Sequence, residues 1–502
     1  MLQSLFSRFA EQDVRIGVYK NTAGIKQALR GTGDLDLLAA RDDRDRLHAL
    51  LRRHEAIFAR PSRFHDNAYR AREDWFVPLH DGGFVHLDIA FGLMIGPKYH
   101  KRHLAFAHSD AGDWEIRKVR GIPVCVVSAK DELRIAVLRA LYPMSGGGGR
   151  RASRMERDIA ALSAKLDRGT DSAREVCFQI GADELCCGLE PTPHGLAPAA
   201  ADRKRLIRAI RKRDPSHRSA VADRLRHVLR RSAHAIETRA TRGMPGLDRS
   251  RRSLQPHGAI VALIGPDGVG KSTQAGRLQT VFGRKLRCSS VYLGSNDGGW
   301  TRWRNHIGGM VRRKRKDRSP TASSKPGAKI GRSWGHATGS AAWRLLVAVQ
   351  RLANLHRARL LARSGALVIC DRWPQNIRPG MMDGPSQAPA ENRRIARLLW
   401  RMERALYRHM ARYRPHLAVH LDCDFATSHR RKPGDIEEAD FERRLELMRQ
   451  MRDGDPEIRM VDARARLDAV TAALFRMVWE TLAEVTDRPA IRRQDNAKAP
   501  GQ

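Results

Sequence analysis

Residues 265–273 read GPDGVGKST. Gly265, Gly268, Gly270, Lys271 and Ser272 fit the spacing G-x-x-x-x-G-K-[ST], with Thr273 closing the run. A chain wraps a triphosphate only if its backbone N–H groups converge on the phosphate oxygens, and glycines permit that curvature. Lys271 adds a positive charge near the β and γ phosphates, and the Ser272 hydroxyl is placed to ligand Mg²⁺. An apolar run, residues 259–264, precedes the loop and suits a buried parallel strand. Residues 274–282 suit a helix whose N-terminus faces the anion. The cofactors expected are ATP and Mg²⁺.

A second set of chemical groups lies near the N-terminus. Asp34-Leu35-Asp36 puts two carboxylates on one face of a strand, because side chains alternate with period two. Asp88, in the strand-like VHLDIA, is a third candidate ligand. Such aspartates suit a pair of Mg²⁺ ions about 3.5–4 Å apart, the arrangement that serves nucleotidyl transfer.

The elements that position these groups can be read from hydrophobic spacing. Residues 15–19, 34–39 and 84–90 read as strands and 42–54 as a helix. From residue 131 to 242 the pattern reads as helical throughout, with Gly146–Gly149 and Pro191–Pro198 as breaks. After a linker, strands at 366–370, 417–421 and 459–461 alternate with helices, the last at 467–482. The expected organisation is residues 1–127, a helical segment 128–242, a linker 243–257, a second domain 258–487 and a polar tail 488–502.

The chain has 502 residues and a formal net charge of +38, with arginines scattered along its length. The densest basic cluster is Arg312–Arg318, and few aromatics interleave with it, so a stacking platform for single strands is not indicated. The charge points to solvated basic faces that associate weakly with acidic polymers. Seven cysteines lack any CxxC or Cys/His zinc spacing, and reduced, mostly buried thiols are expected. No run approaches the roughly 18–20 apolar residues that span a bilayer, so no integral membrane segment and a cytoplasmic location are expected.

Three motifs together resemble the thymidylate kinase branch of the nucleoside monophosphate kinases: GPDGVGKST, Asp371-Arg372-Trp373, and LDCDFATSHRRKPGD at 421–435. The resemblance spans residues 257–487. It implies an α/β fold, a P-loop parallel sheet flanked by helices, with both substrates at the carboxyl ends of the strands. By matching position, Lys271 neutralises charge on the transferring group and Ser272 holds Mg²⁺. Asp267 lies near the acceptor sugar, Arg372 grips the acceptor phosphate, and Asp371 makes a water-mediated magnesium contact. Arg430, Arg431 and Lys432 resemble the mobile lid that closes over the phosphates. The implied function is transfer of the γ-phosphoryl of ATP to a phosphorylated, nucleotide-like acceptor, dTMP-like by resemblance, in a homodimer. The chain departs from the family in that Ile264 stands where a glutamate usually precedes the first glycine. Residues 291–299 lack the family's arginine, residues 374–380 lack its Ala-Tyr-Gln, and a basic insertion fills 300–339. These differences touch acceptor recognition rather than ATP binding.

GTGDLDLL followed by HLD resembles the polymerase-β-type nucleotidyltransferase fold over residues 12–143, which implies an α+β N-terminal domain. Catalytic members carry Gly-Ser upstream of the carboxylates, and here residues 18–21 read VYKN. Two other functions stay open: nucleotidyl transfer to a sugar or other small acceptor in surface-polysaccharide metabolism, and a non-catalytic, nucleotide-switched binding protein for an acidic polymer.

Overall fold

A computed structural model of the chain describes residues 1–61, 72–95, 102–103, 113–140, 149–166, 175–180, 183–205, 220–241, 248, 251–294, 329–389, 394–434 and 436–487. The basic cluster Arg312–Arg318, most of the insertion 300–339, residues 146–148 of the glycine break and the tail 488–502 lie outside the described residues. The chain divides into two compact units, one built mainly from residues 1–244 and the other mainly from 256–485. Residues 128–242 fall in the first unit, together with 1–127.

The first unit opens with α1 (Leu2–Glu11), β1 (Ile16–Val18), α2 (Ile25–Ala28), β2 (Asp34–Ala39) and α3 (Arg44–Arg53). Seven further strands follow: β3 (Ile57–Arg60), β4 (Arg72–Pro78), β5 (Phe84–Ala90), β6 (Met94–Ile95), β7 (Arg102–His103), β8 (Trp114–Val119) and β9 (Ile122–Val127). Next come α4 (Ala129–Ala140), α5 (Gly149–Leu166), β10 (Glu175–Ile180), β11 (Asp183–Thr192), β12 (Gly195–Pro198), α6 (Ala220–Thr241) and β13 (Ser253–Leu254). Eight strands form one mixed sheet in the order β13-β3-β4-β5-β2-β1-β9-β8. In α1, Leu2, Leu5, Phe6 and Phe9 are buried, an i, i+3, i+4, i+7 stripe that joins the core formed by Leu35, Leu37 and Ile89.

The stretch read as helical throughout contains a three-stranded antiparallel sheet, β10-β11-β12. The period explains the difference. Val176, Phe178 and Ile180 alternate with polar residues, and a repeat of two belongs to a strand.

The second unit runs β14 (Ile260–Ile264), α7 (Lys271–Gly283), β15 (Cys288–Tyr292), α8 (Lys329–Arg363), β16 (Leu367–Asp371) and α9 (Arg394–Met410). It continues with β17 (Leu417–Asp422), α10 (Phe425–Arg431), α11 (Glu438–Asp453), β18 (Ile458–Asp462) and α12 (Leu467–Asp487). Its five strands are all parallel, in the order β15-β16-β14-β17-β18. β14 (IVALI) is buried along its whole length, as a parallel strand covered on both faces must be. Phe282 of α7 stacks on Phe475 of α12 at 5.1 Å. Leu355 of α8 and Tyr407 of α9 share another apolar cluster with Val368 of β16. Residues 329–339 of the insertion belong to α8. No described helix is long and apolar enough to cross a membrane. Cys288, Cys370 and Cys423 are free and buried, and Cys125 is free and half-buried.

Candidate functional site

In the second unit the first strand, β14, lies between β16 and β17, so connections leave it in opposite directions. In an open α/β sheet, such a switch point leaves a crevice beyond the carboxyl ends of the strands. The phosphate-loop residues fill that position. Gly268 and Gly270 have φ of +83° and +99°, a backbone region that side chains disfavour, and a Cβ on Gly268 would run into the Ser428 hydroxyl. Gly270 is the N-cap of α7, which has no side-chain cap and no acidic residue in its first turn. Its first amides therefore face the crevice as anion donors.

Lys271 is 5% exposed, and its ammonium donates to the carbonyls of Gly265 (2.9 Å) and Pro266 (2.6 Å). Burial and the neighbouring Arg372 pull its pKa down to about 8, against the opposing field of Asp267. It remains mostly charged at neutral pH. Leu263 and Asp371 are register partners, which brings the Asp371 carboxylate out at the level of the loop. The Ser272 hydroxyl donates to Asp371 Oδ2, and among the described residues the buried Asp371 Oδ1 has no hydrogen-bond partner.

Arg372 adopts a left-handed backbone (φ +79°), rare for a residue with a side chain. Its guanidinium spans Asp267 Oδ1 and, at 3.5 Å, Asp383 Oδ2. Burial opposes that charge, but Asp383 and Asp267 more than restore it, and the pKa is raised. Arg444 of α11 donates to Asp267 Oδ2 at 2.5 Å. Burial works against the Asp267 charge, yet Arg372, Lys271 and Arg444 hold its pKa below the usual carboxylate range. Asp383 also accepts from Arg351 at 2.9 Å, and Arg351 reaches the Tyr407 hydroxyl. The loop that carries Asp383 is fixed by Gln375, whose amide donates to the Arg378 and Met381 carbonyls and accepts from the N–H groups of Ile377 and Arg378. Beside Lys271 and Arg372 lies a shallow cleft, open to solvent, whose enclosed volume is about 10 Å³, room for about one water. Ile264, Trp373, Met382, Met448 and Met451 form its apolar wall, and Gln375 and Asp383 its polar one.

The basic trio behaves differently from a free lid. Arg431 donates to the carbonyls of Val269 (3.3 Å) and Ala463 (2.7 Å), which fastens the end of α10 to the phosphate loop and to the end of β18. Ser428 adds a hydrogen bond to the Asp267 carbonyl (2.7 Å). Arg430 is exposed and reaches Thr427 at 3.5 Å, while Lys432 is exposed at the helix C-cap. Sequence reasoning missed Arg351, Asp383 and Arg444. None belongs to a spaced motif, and only the fold brings them to the loop.

His420 on β17 sits in the same unit, 1% exposed, with neither ring nitrogen hydrogen-bonded among the described residues. Burial pulls its pKa down to about 4. The unfolded chain binds this proton near pH 6.5 and the folded chain does not, so the penalty is absent above that pH and grows as pH falls towards 4. At pH 5 this group alone is expected to cost about 2 kcal/mol. Denaturant unfolding at pH 8 and pH 5 should show a smaller acid loss in His420→Leu than in the parent. Equal losses in both would contradict the assignment.

In the first unit, β2 and β5 pair in parallel with Asp34 opposite His86 and Asp36 opposite Asp88, and Asp74 of β4 lies opposite Asp88. The carboxylates do converge, as the period of two requires. Each meets a cationic or ring nitrogen of the chain itself. Lys20 contacts Asp36 at 2.7 Å, Arg72 pairs with Asp88, and His86 lies between Asp34 (2.9 Å) and Asp74 (2.7 Å). Arg252 adds a contact to Asp74 at 2.8 Å. Burial, with Asp88 alongside, pushes the Asp36 carboxyl up to about 6 despite Lys20. Lys20 and Arg72 thus supply counter-charge, and His86 ring nitrogens, where the sequence reading of Asp34, Asp36 and Asp88 assigned two Mg²⁺ ions. Among the described residues no three His, Cys, Asp or Glu side chains form a metal cage.

No family model matches the chain. Two solved structures resemble it weakly. One is the crystal structure of APE1195 (TM-score 0.21, 19% identity, 44% of this chain and 95% of that one). The other is a thymidylate kinase from Candida albicans (TM-score 0.26, 16% identity, 45% and 93%). Scores this low carry no weight for the fold. Sequence relatives are clearer. The uncharacterized ATP-binding protein YghS of Escherichia coli (strain K12) is 27% identical over 228 residues, 44% of this chain and 93% of that one. The uncharacterized ATP-binding protein YghR of the same strain is 30% identical over 237 residues, 46% of this chain and 91% of that one. With nearly all of YghR matched at that identity, the chain belongs to the YghR family.

Proposed function

We propose that the second unit is an ATP- and Mg²⁺-dependent phosphotransferase of the thymidylate kinase-like type, which passes the γ-phosphoryl of ATP to a small acceptor that already carries a phosphate. The observation that carries this reading is the Ser272–Asp371 pair beside Lys271, with one carboxylate oxygen buried and unpartnered among the described residues. A buried polar atom without a partner is costly unless a ligand completes it. A hydroxyl and a strand-end carboxylate are hard oxygen donors that suit Mg²⁺, whose other positions go to waters and phosphate oxygens. Two matched relatives are named as ATP-binding proteins, which supports ATP as the nucleotide.

In this reading the amides at the start of α7 and the ammonium of Lys271 bind the β and γ phosphates. Ser272 and Asp371 would hold Mg²⁺, which when bound neutralises phosphate charge. Arg372 orients the acceptor beside the apolar wall of Trp373 and the three methionines. An acceptor oxygen attacks the γ phosphorus, the bond to the β–γ bridging oxygen breaks, and ADP leaves with that electron pair. No side chain forms a covalent bond, since positioning and electrostatics carry phosphoryl transfer. The acceptor is dTMP-like, and free thiols and ATP use fit a cytoplasmic setting. The first unit, its carboxylates already paired, is not assigned a reaction.

The test is ADP release by the purified full chain with ATP, Mg²⁺ and a panel of phosphorylated acceptors that includes dTMP. Turnover should depend on the acceptor and fall at least about 100-fold in Asp371→Asn. Turnover equal in that variant, or none with any acceptor, would contradict the proposal.

A further inference from the structure

We infer that Arg444 is a second arginine of the acceptor-phosphate site, and that Asp267 holds the place of that phosphate while the acceptor is absent. The role of the anion as acceptor rests on the proposed phosphotransfer, but the anion site does not.

Three cations from three elements converge on one carboxylate. Arg372 stands just after β16 and takes Asp267 Oδ1, Arg444 stands on α11 and takes Oδ2 at 2.5 Å, and Lys271 at the start of α7 lies 3.9 Å from Oδ1. Two other carboxylates lie here: Asp383 is shared with Arg351, with a longer contact of 3.5 Å to Arg372, and Asp371 takes the Ser272 hydroxyl. The immediate surroundings of Asp267 therefore carry more positive than negative charge. Two guanidinium groups, one on each oxygen of a single anion, form the fork that also fits a phosphate monoester. A dianion satisfies that surplus better than a carboxylate does.

Access favours exchange. The side chains of Arg372, Asp267 and Arg444 are 19%, 23% and 28% exposed. Asp267 can rotate towards solvent and leave both arginines in place. Arg372 also lines the shallow cleft, together with Trp373 and the methionines, so an anion held by it sits at the mouth of that cleft. The competing role for Arg444 is purely structural, a fastening of α11 to the loop. The two roles differ in what happens when Asp267 loses its charge. A fastening weakens, whereas a vacated anion site binds phosphate more tightly.

The test is calorimetric titration of inorganic phosphate into the full chain, with Mg²⁺ and AMP-PNP present to fill the phosphate loop. Arg444→Met should weaken phosphate binding at least 10-fold, and Asp267→Asn should tighten it several-fold. The double variant should fall back to the Arg444→Met value. Arg444→Lys, which keeps charge but not the fork, should lie between parent and Arg444→Met, and it serves if the methionine variant fails to fold. Unchanged binding in a folded Arg444→Met or Arg444→Lys, or weaker binding in Asp267→Asn, overturns the inference. Phosphate binding that follows both arginines in a chain with no acceptor turnover sinks the proposed reaction and leaves this inference standing. Acceptor turnover indifferent to Arg444 does the reverse.

Discussion

Lys271→Ala should lower the affinity of the chain for MgATP at least about 100-fold and abolish acceptor-dependent ADP release. Lys271 is 5% exposed, and its ammonium donates to two carbonyls of its own loop and lies 3.9 Å from Asp267 Oδ1. A charge kept out of water acts strongly on phosphates, because the screening that weakens surface pairs is missing. Loss of one charged donor in such a site typically costs about 3–4 kcal/mol, or two to three orders of magnitude. The fold should survive, since alanine is a good helix former at the first position of α7 and a desolvated charge is removed rather than created. Circular dichroism and thermal unfolding of the variant should match the parent. A variant that unfolds, or one that binds MgATP as the parent does, would contradict this account.

Gly258→Ala should destabilise the second unit by about 3 kcal/mol or more. A Cβ there would lie 1.9 Å from the Ala366 carbonyl oxygen and 2.5 and 2.7 Å from the Ala366 carbonyl carbon and nitrogen. These are backbone atoms, so no rotamer change relieves the clash. The Gly258 N–H also donates to the Ala362 carbonyl at 2.7 Å, which fixes the approach of the two segments. Relief requires the entry to β14 to move away from the start of β16, the pair that sets Leu263 beside Asp371. Overpacking of this kind costs about 1–3 kcal/mol when side chains can adjust, and more when they cannot. The melting temperature should fall by roughly 10 °C. Gly276→Ala on α7 is the control, because nothing lies within 4 Å of its added methyl. It should be neutral or slightly stabilising. Equal melting temperatures for the two variants would show that the segments separate freely.

Much of this architecture was readable where local pattern and tertiary demand coincide. The runs 34–39 and 84–90 became strands with the same ends, because alternation or full burial specified them without help from distant residues. The phosphate loop was legible because glycines with left-handed backbone, a lysine and a hydroxyl must follow one another at fixed steps. Residues 175–190 were misread, since short apolar runs next to helices fit either period until strand partners exist. Arg444 and Asp383 were invisible for another reason. Arg444 meets Asp267 across 177 positions, and in a chain with 93 lysines and arginines one more arginine carries no contrast. Arg431 misled in the opposite direction. Its basic neighbourhood suggests a lid, but backbone carbonyls at Val269 and Ala463 claim its donors. In the first unit the carboxylates were legible, but Lys20, just after β1, and Arg72, at the start of β4, were not.

The most direct measurement is a crystal structure of the full chain with AMP-PNP and Mg²⁺. The account predicts phosphate oxygens on the amides at the start of α7, Lys271 turned from the Gly265 and Pro266 carbonyls to the β and γ phosphates, and the metal at Ser272 on the Asp371 side. A nucleotide bound elsewhere, with Lys271 still on those carbonyls, would contradict it.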